Sequence, residues 1–192
     1  FGKQQRPGEY TVTVAFLLRE KTLWAEAGHE VAFGQYVYQV EGSPKAPACG
    51  VELVRSLHNI GVRGENFEVL FSVLNGGLVS YKYAGREMIE AIPKPNFWRA
   101  PTDNDCGSLM QMRYAQWKIA SMYLSHKDFR QGPYGPGNEP EVEVNEKTVK
   151  VTYTYLMPTT PLSECRLSYE VSGDGRVKTT LSYDPVKELG DM

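Results

Sequence analysis

Apolar and polar residues alternate with a period of two along most of this chain. Tyr10, Val12, Val14, Phe16 and Leu18 are separated by Thr11, Thr13 and Ala15, the pattern of a strand with one face in a core and the other in water. The run 31–40 is rich in aromatic and β-branched residues, with Gly34 a candidate bulge. Residues 23–29 break the alternation between these two runs. Two strands joined by a loop do not make a stable sheet alone. They are expected to close a larger domain, residues 1–41, or to pair with strands elsewhere.

Pro44 and Pro47 then forbid a regular ladder, and residues 42–56 read as a linker to a second region, 57–192. Alternation resumes there. Phe67, Val69, Phe71 and Val73 share a face, Asn75-Gly76-Gly77 supplies the positive-φ residues of a tight hairpin, and 78–83 returns, with Gly85 making the next turn. Strands are predicted at 141–144, 148–157, 165–171 and 177–183, joined by Asn145-Glu146-Lys147 and Ser172-Gly173-Asp174-Gly175. Residues 131–138, rich in Gly and Pro, read as a surface loop. The spacing predicts one helix, 109–119, with Met112, Ala115, Gln116 and Ile119 on one side. Short strands at hairpin spacing give an all-β fold, an antiparallel β-sandwich or barrel.

Composition narrows the function classes. With 21 basic and 23 acidic side chains the formal charge is −2, which gives no electrostatic case for nucleic acid or an anionic membrane. No apolar run approaches the length of a membrane span. Cys49, Cys106 and Cys165 lack paired spacing, so a structural zinc site is not expected and the thiols are read as free. Such thiols fit the cytoplasm without excluding the periplasm, and the compartment stays open.

The segment from Phe97 to Gly107, FWRAPTDNDCG, has neither period and packs two aromatics, a cation and two carboxylates into a predicted structured loop. Asp103 and Asp105 lie too close in sequence to flank a glycosidic bond from opposite sides. They read instead as caps for loop amides. Arg99 is positioned for a bidentate pair with Asp103 or Asp105. Phe97 and Trp98 read as core anchors. A calcium loop fails on spacing, since Gly107 falls at the fifth position. His29, His58 and His126 are scattered, and no nucleophile, base and orienting group come together. No catalytic or metal-ligating residue is assigned.

The same segment resembles the FWRAPTDND signature of the long bacterial β-galactosidases of glycoside hydrolase family 2. Residues 8–14 (GEYTVTV) and 23–35 (LWAEAGHEVAFGQ) are similar to the closing strands of that family's second immunoglobulin-like domain, and 75–83 (NGGLVSYKY) to an early hairpin of the domain that follows. The resemblance implies a partial galactose-mutarotase-like supersandwich preceded by the terminal strands of an immunoglobulin-like domain. It implies a piece of an enzyme, with the two catalytic glutamates on a barrel upstream and no activity in isolation. Arg99, Asp103, Asn104, Asp105 and Gly107 match the family's site-facing loop and are expected to lie beside the substrate site. A β-galactoside would then be the partner of the intact enzyme, with magnesium and sodium its cofactors. Unpaired strand edges predict self-association and a homo-oligomer. A carbohydrate-binding module and a ligand-free scaffold remain the alternatives.

Overall fold

The structure, a computed structural model, describes residues 6–42, 50–127 and 139–186. The predicted 131–138 loop and all of the linker's prolines lie outside these residues. The chain divides into two compact units, Phe1–Ala46 and Pro47–Met192.

The first unit is one antiparallel pair, β1 (Gly8–Leu17) with β2 (Glu30–Val40). Gly34 stays in register opposite Val14, and the irregularity falls instead at Phe16/Leu17, so the bulge expected at Gly34 is not there. The loop between the strands is ordered by its own bonds. The Leu18 N–H donates to the His29 carbonyl at 2.9 Å, the Gly28 N–H to the Leu18 carbonyl at 2.8 Å, and Lys21 pairs with Glu26.

The second unit is an all-β antiparallel sandwich. One sheet runs in the order β3 (Glu52–Arg55), β4 (Asn59–Arg63), β5 (Phe67–Ser72), β6 (Gly77–Tyr83), β7 (Arg86–Glu87). The other holds β8 (Glu141–Val144), β9 (Thr148–Met157), β10 (Ser163–Ser172) and β11 (Val177–Tyr183), again each beside its sequence neighbour. β3 lies within the stretch read as linker; its four residues are too few to show a period.

The alternation works here as elementary packing predicts. Val149, Val151, Tyr153, Tyr155 and Met157 of β9 meet Cys165, Leu167, Tyr169 and Val171 of β10 on the inner face. Ile60, Val62, Val69, Phe71 and Leu78 complete the same core from the opposite sheet. Tyrosine hydroxyls buried this way need acceptors. Tyr153 Oη donates to the Ser72 carbonyl at 3.1 Å and Tyr155 Oη to the Gly76 carbonyl at 2.6 Å. Tyr81 Oη donates to the Gly175 carbonyl at 2.7 Å. Desolvation raises the Tyr169 phenol to about 12 and the Cys165 thiol to about 11, so both stay protonated.

Gly76 makes the β5–β6 turn at φ +65°, and a Cβ built there would stand 2.1 Å from the His126 ring. Glycine is required twice over, for the backbone and for the space. His126 Nε2 is buried without a partner among the described residues.

Between the sheets the chain is irregular from 88 to 102 and then helical, but not as one helix over 109–119. Three pieces form: α1 (Asp103–Gly107), α2 (Met110–Arg113) and α3 (Ala115–Tyr123). Leu109 adopts a left-handed conformation, φ 59°, and Tyr114 sits at φ −115°, ψ 21°; each resets the helical phase. Trp117 and Ala120 face the core in consequence, while Met112 and Ile119, predicted to share the apolar side, are 72% and 48% exposed.

Candidate functional site

Side-chain bonds set the path of residues 96–105. Asn96 brackets Trp98, its Nδ2 donating to the Trp98 carbonyl at 2.8 Å and its Oδ1 accepting from the Trp98 N–H at 3.2 Å. The Phe97 N–H donates to Ser121 Oγ at 2.8 Å, and that hydroxyl donates to the Trp117 carbonyl at 2.9 Å. The rings of Phe97, Trp117 and Tyr183 stand 5.7–5.9 Å apart, Trp117 edge-on to Tyr183. Phe97 therefore ties the loop to α3 and to β11 together, the anchoring role expected of it.

Beyond the anchor the loop closes on itself. Arg99 makes a fork on Asp105, Nη1 to Oδ2 at 2.5 Å and Nη2 to Oδ1 at 3.0 Å. Asp103 takes no part in it. Asp105 Oδ2 also accepts from the Thr102 N–H at 2.7 Å and the Thr102 hydroxyl at 2.8 Å, while Thr102 Oγ1 accepts from the Asp105 N–H at 3.4 Å. This is a capping box at the start of α1 with aspartate in the place that glutamate usually takes. Asp105 thus does the capping expected of it. The Arg99 guanidinium first, then the Thr102 N–H and hydroxyl, hold its carboxyl far below the usual carboxylate range. The pairing raises Arg99 in turn.

Arg99 and Asp105 form one wall of a cleft of about 410 Å³, with Trp98 and, across it, Arg113, Tyr114 and Trp117. Arg113 lies over the Tyr114 ring, 5.5 Å from its centroid. Of the five residues expected beside a substrate site, the structure brings together Arg99 and Asp105. Asp103, Asn104 and Gly107 are exposed and do not line the cleft. Gly107 has helical backbone, and a Cβ there would meet nothing within 4 Å. Among the described residues no group of three or more His, Cys, Asp or Glu side chains is placed to share a cation.

Sequence reasoning passed over Thr102, Arg113, Tyr114 and Trp117. Thr102 was within reach, since Thr-x-x-Asp before a helix approximates a capping box. The other three were hidden by reading 109–119 as a single helix, which turned position 117 away from the core.

Comparison with known proteins bears directly on this geometry. The family model for the β-galactosidase small chain matches residues 63–191, and that for β-galactosidase domain 4 matches residues 1–39. A β-galactosidase of Clostridium acetobutylicum is 36% identical over all of this chain and 20% of its own length. One of Halalkalibacterium halodurans is 39% identical over 94% of this chain and 17% of its own. A β-galactosidase small subunit of Latilactobacillus sakei is 31% identical over 65% of this chain and 42% of its own. The chain spans about a fifth of the length of the first two relatives. With more than half its residues in the matched region, including the clamped loop, β5–β7 and the whole of the β8–β11 sheet, this chain belongs to the β-galactosidase small-chain family.

Proposed function

We propose that this chain is the non-catalytic C-terminal portion of a β-galactosidase that hydrolyses terminal non-reducing β-D-galactosides. The observation that carries the reading is the small-chain family match across residues 63–191. Its most chemically committed feature is the Arg99–Asp105 clamp. In this reading the catalytic glutamates act on another part of the enzyme by retaining hydrolysis. Arg99, Asp103, Asn104, Asp105 and Gly107 shape the wall of the substrate site. Magnesium and sodium belong to the rest of the enzyme, and the chain supports assembly into a homo-oligomer.

A loop held by a bidentate ion pair and a capping box suits such a role, because a wall helps catalysis only if it holds still to within an ångström. The purified chain is expected to leave a chromogenic β-galactoside intact. Mixed with a β-galactosidase lacking its small-chain region, it should restore hydrolysis. Asp105→Ala should lower the restored kcat/KM by roughly tenfold to a hundredfold. Hydrolysis by the chain alone would overturn the proposal.

A further inference from the structure

The cleft's hydrogen-bonding groups are unevenly committed. On the acceptor side, Asp105 has both oxygens engaged by Arg99 and Oδ2 again by Thr102. Its main-chain carbonyl takes the Ser108 hydroxyl at 3.0 Å. Among the donors with no acceptor in the described residues are the Trp117 indole and the Arg113 guanidinium. Trp117 is 2% exposed, and its indole N–H has no acceptor among the described residues. Buried polar groups are rarely left unpaired, and each exception calls for an explanation. Arg113 enters no ion pair among the described residues. The Tyr114 ring covers one face of its guanidinium, which leaves the N–H edge for a planar acceptor with two oxygens.

A cleft with spare donors, one of them a fork-shaped cation, and a carboxylate already neutralised calls for an anion that brings its own oxygens. We propose that the cleft between the Arg99–Asp105 loop and α2–α3 is a carboxylate-binding site, with Arg113 the clamp and the Trp117 indole a further donor. A glutamate or aspartate side chain of another protein segment and a free organic acid present the same group. The site stands on cleft chemistry alone and does not depend on which enzyme the chain belongs to.

The test uses the 15N-labelled 192-residue chain and follows the indole N–H signals of Trp24, Trp98 and Trp117. Two probes are titrated separately: N-acetylglutamate N-methylamide, a capped glutamate, and succinate. The Trp117 signal is expected to shift saturably, with Trp24 unmoved. Arg113→Gln should weaken binding at least about tenfold, whereas Lys118→Gln, exposed on α3 outside the cleft, should not. Equal or tighter binding of the capped glutamate assigns the site to a protein side chain, and tighter binding of succinate assigns it to a free acid. A Trp117 signal unmoved by both probes, or affinity unchanged in Arg113→Gln, overturns the proposal. Galactoside hydrolysis does not enter this readout, so its failure leaves the functional reading intact.

Discussion

Phe16 in β1 and Phe71 in β5 sit in strands of the same alternating type, yet Phe16 is 66% exposed and Phe71 is fully buried. In the first unit, Tyr10, Val12, Val14 and Phe16 share a face with Tyr38, Tyr36, Gly34 and Ala32 across the ladder. That face is apolar, and Val14, Phe16 and Tyr36 remain more than half exposed. In the second unit, equivalent side chains disappear between two sheets. Alternation specifies a face; only an opposing layer turns the face into stability. What holds the hairpin is local: its ladder, the stacked Tyr10 and Tyr38 rings 5.6 Å apart, and the bonds of its loop.

The sharpest way to break this contrast is to cut the same side chain in both places. Phe71→Ala should cost about 3–5 kcal/mol, as truncation of a buried aromatic does. Phe16→Ala should stay within about 0.5 kcal/mol, as exposed substitutions do. Urea unfolding followed by circular dichroism measures both. Equal losses would mean that burial does not distinguish the two units.

The loop at 96–105 lies in the sandwich unit and is tied to α3 and β11 through Phe97, but its turn into α1 is held, like the hairpin, by local bonds. Thr102→Ala removes the hydroxyl that caps α1 and should cost about 1 kcal/mol, with faster amide exchange confined to α1. A loss near that of Phe71→Ala would place the loop with the core instead. Asp105 adds a pH test. Its folded pKa is depressed, so its contribution is fully present above the ordinary carboxylate pKa and is lost only as pH falls through the depressed value. Carbon-13 titration of the Asp105 carboxyl should show it still ionised where ordinary carboxylates have protonated.

The smallest effect concerns His126. Desolvation lowers its pKa, with the charges of Lys127 and Lys94 adding to it, while hydrogen bonds at the Val73 and Leu74 backbone oppose it. Glu139 and Glu141 line the small cavity beside it. The folded state therefore favours the neutral ring. Stability from this group is complete above the unfolded value near 6.5 and falls as pH drops toward the folded value. Unfolding midpoints between pH 7 and 5 should fall in the parent chain and flatten in His126→Gln. Identical profiles would remove His126 from the account.

Much of this fold was legible because β-structure reports itself through a period of two. The ranges 141–144, 148–157 and 177–183 coincide with β8, β9 and β11. Where runs shorten, the signal fails. β3 has four residues, and its side chains vary between half-buried and exposed. The helices failed for another reason. A left-handed Leu109 carries no local warning, since leucine seldom adopts positive φ. With the second break at Tyr114, the predicted helix fell into pieces, and Trp117 and Ala120, not Met112 and Ile119, turned to the core. The site was half legible on the same grounds. The Arg99–Asp105 pair is local in sequence and could be anticipated, whereas Trp117 joins the cleft only through tertiary packing.

Two oily surfaces pressed together resist separation but scarcely resist sliding. The phenolic oxygens that cross this sandwich supply what oil cannot, since Tyr153, Tyr155 and Tyr81 each seize one particular main-chain oxygen on the far side. A slip by a single strand width, about 4.8 Å, would strand all three at once. The platform beneath the clamped loop is dowelled as well as glued, so any give in this part of the molecule must come from the loop.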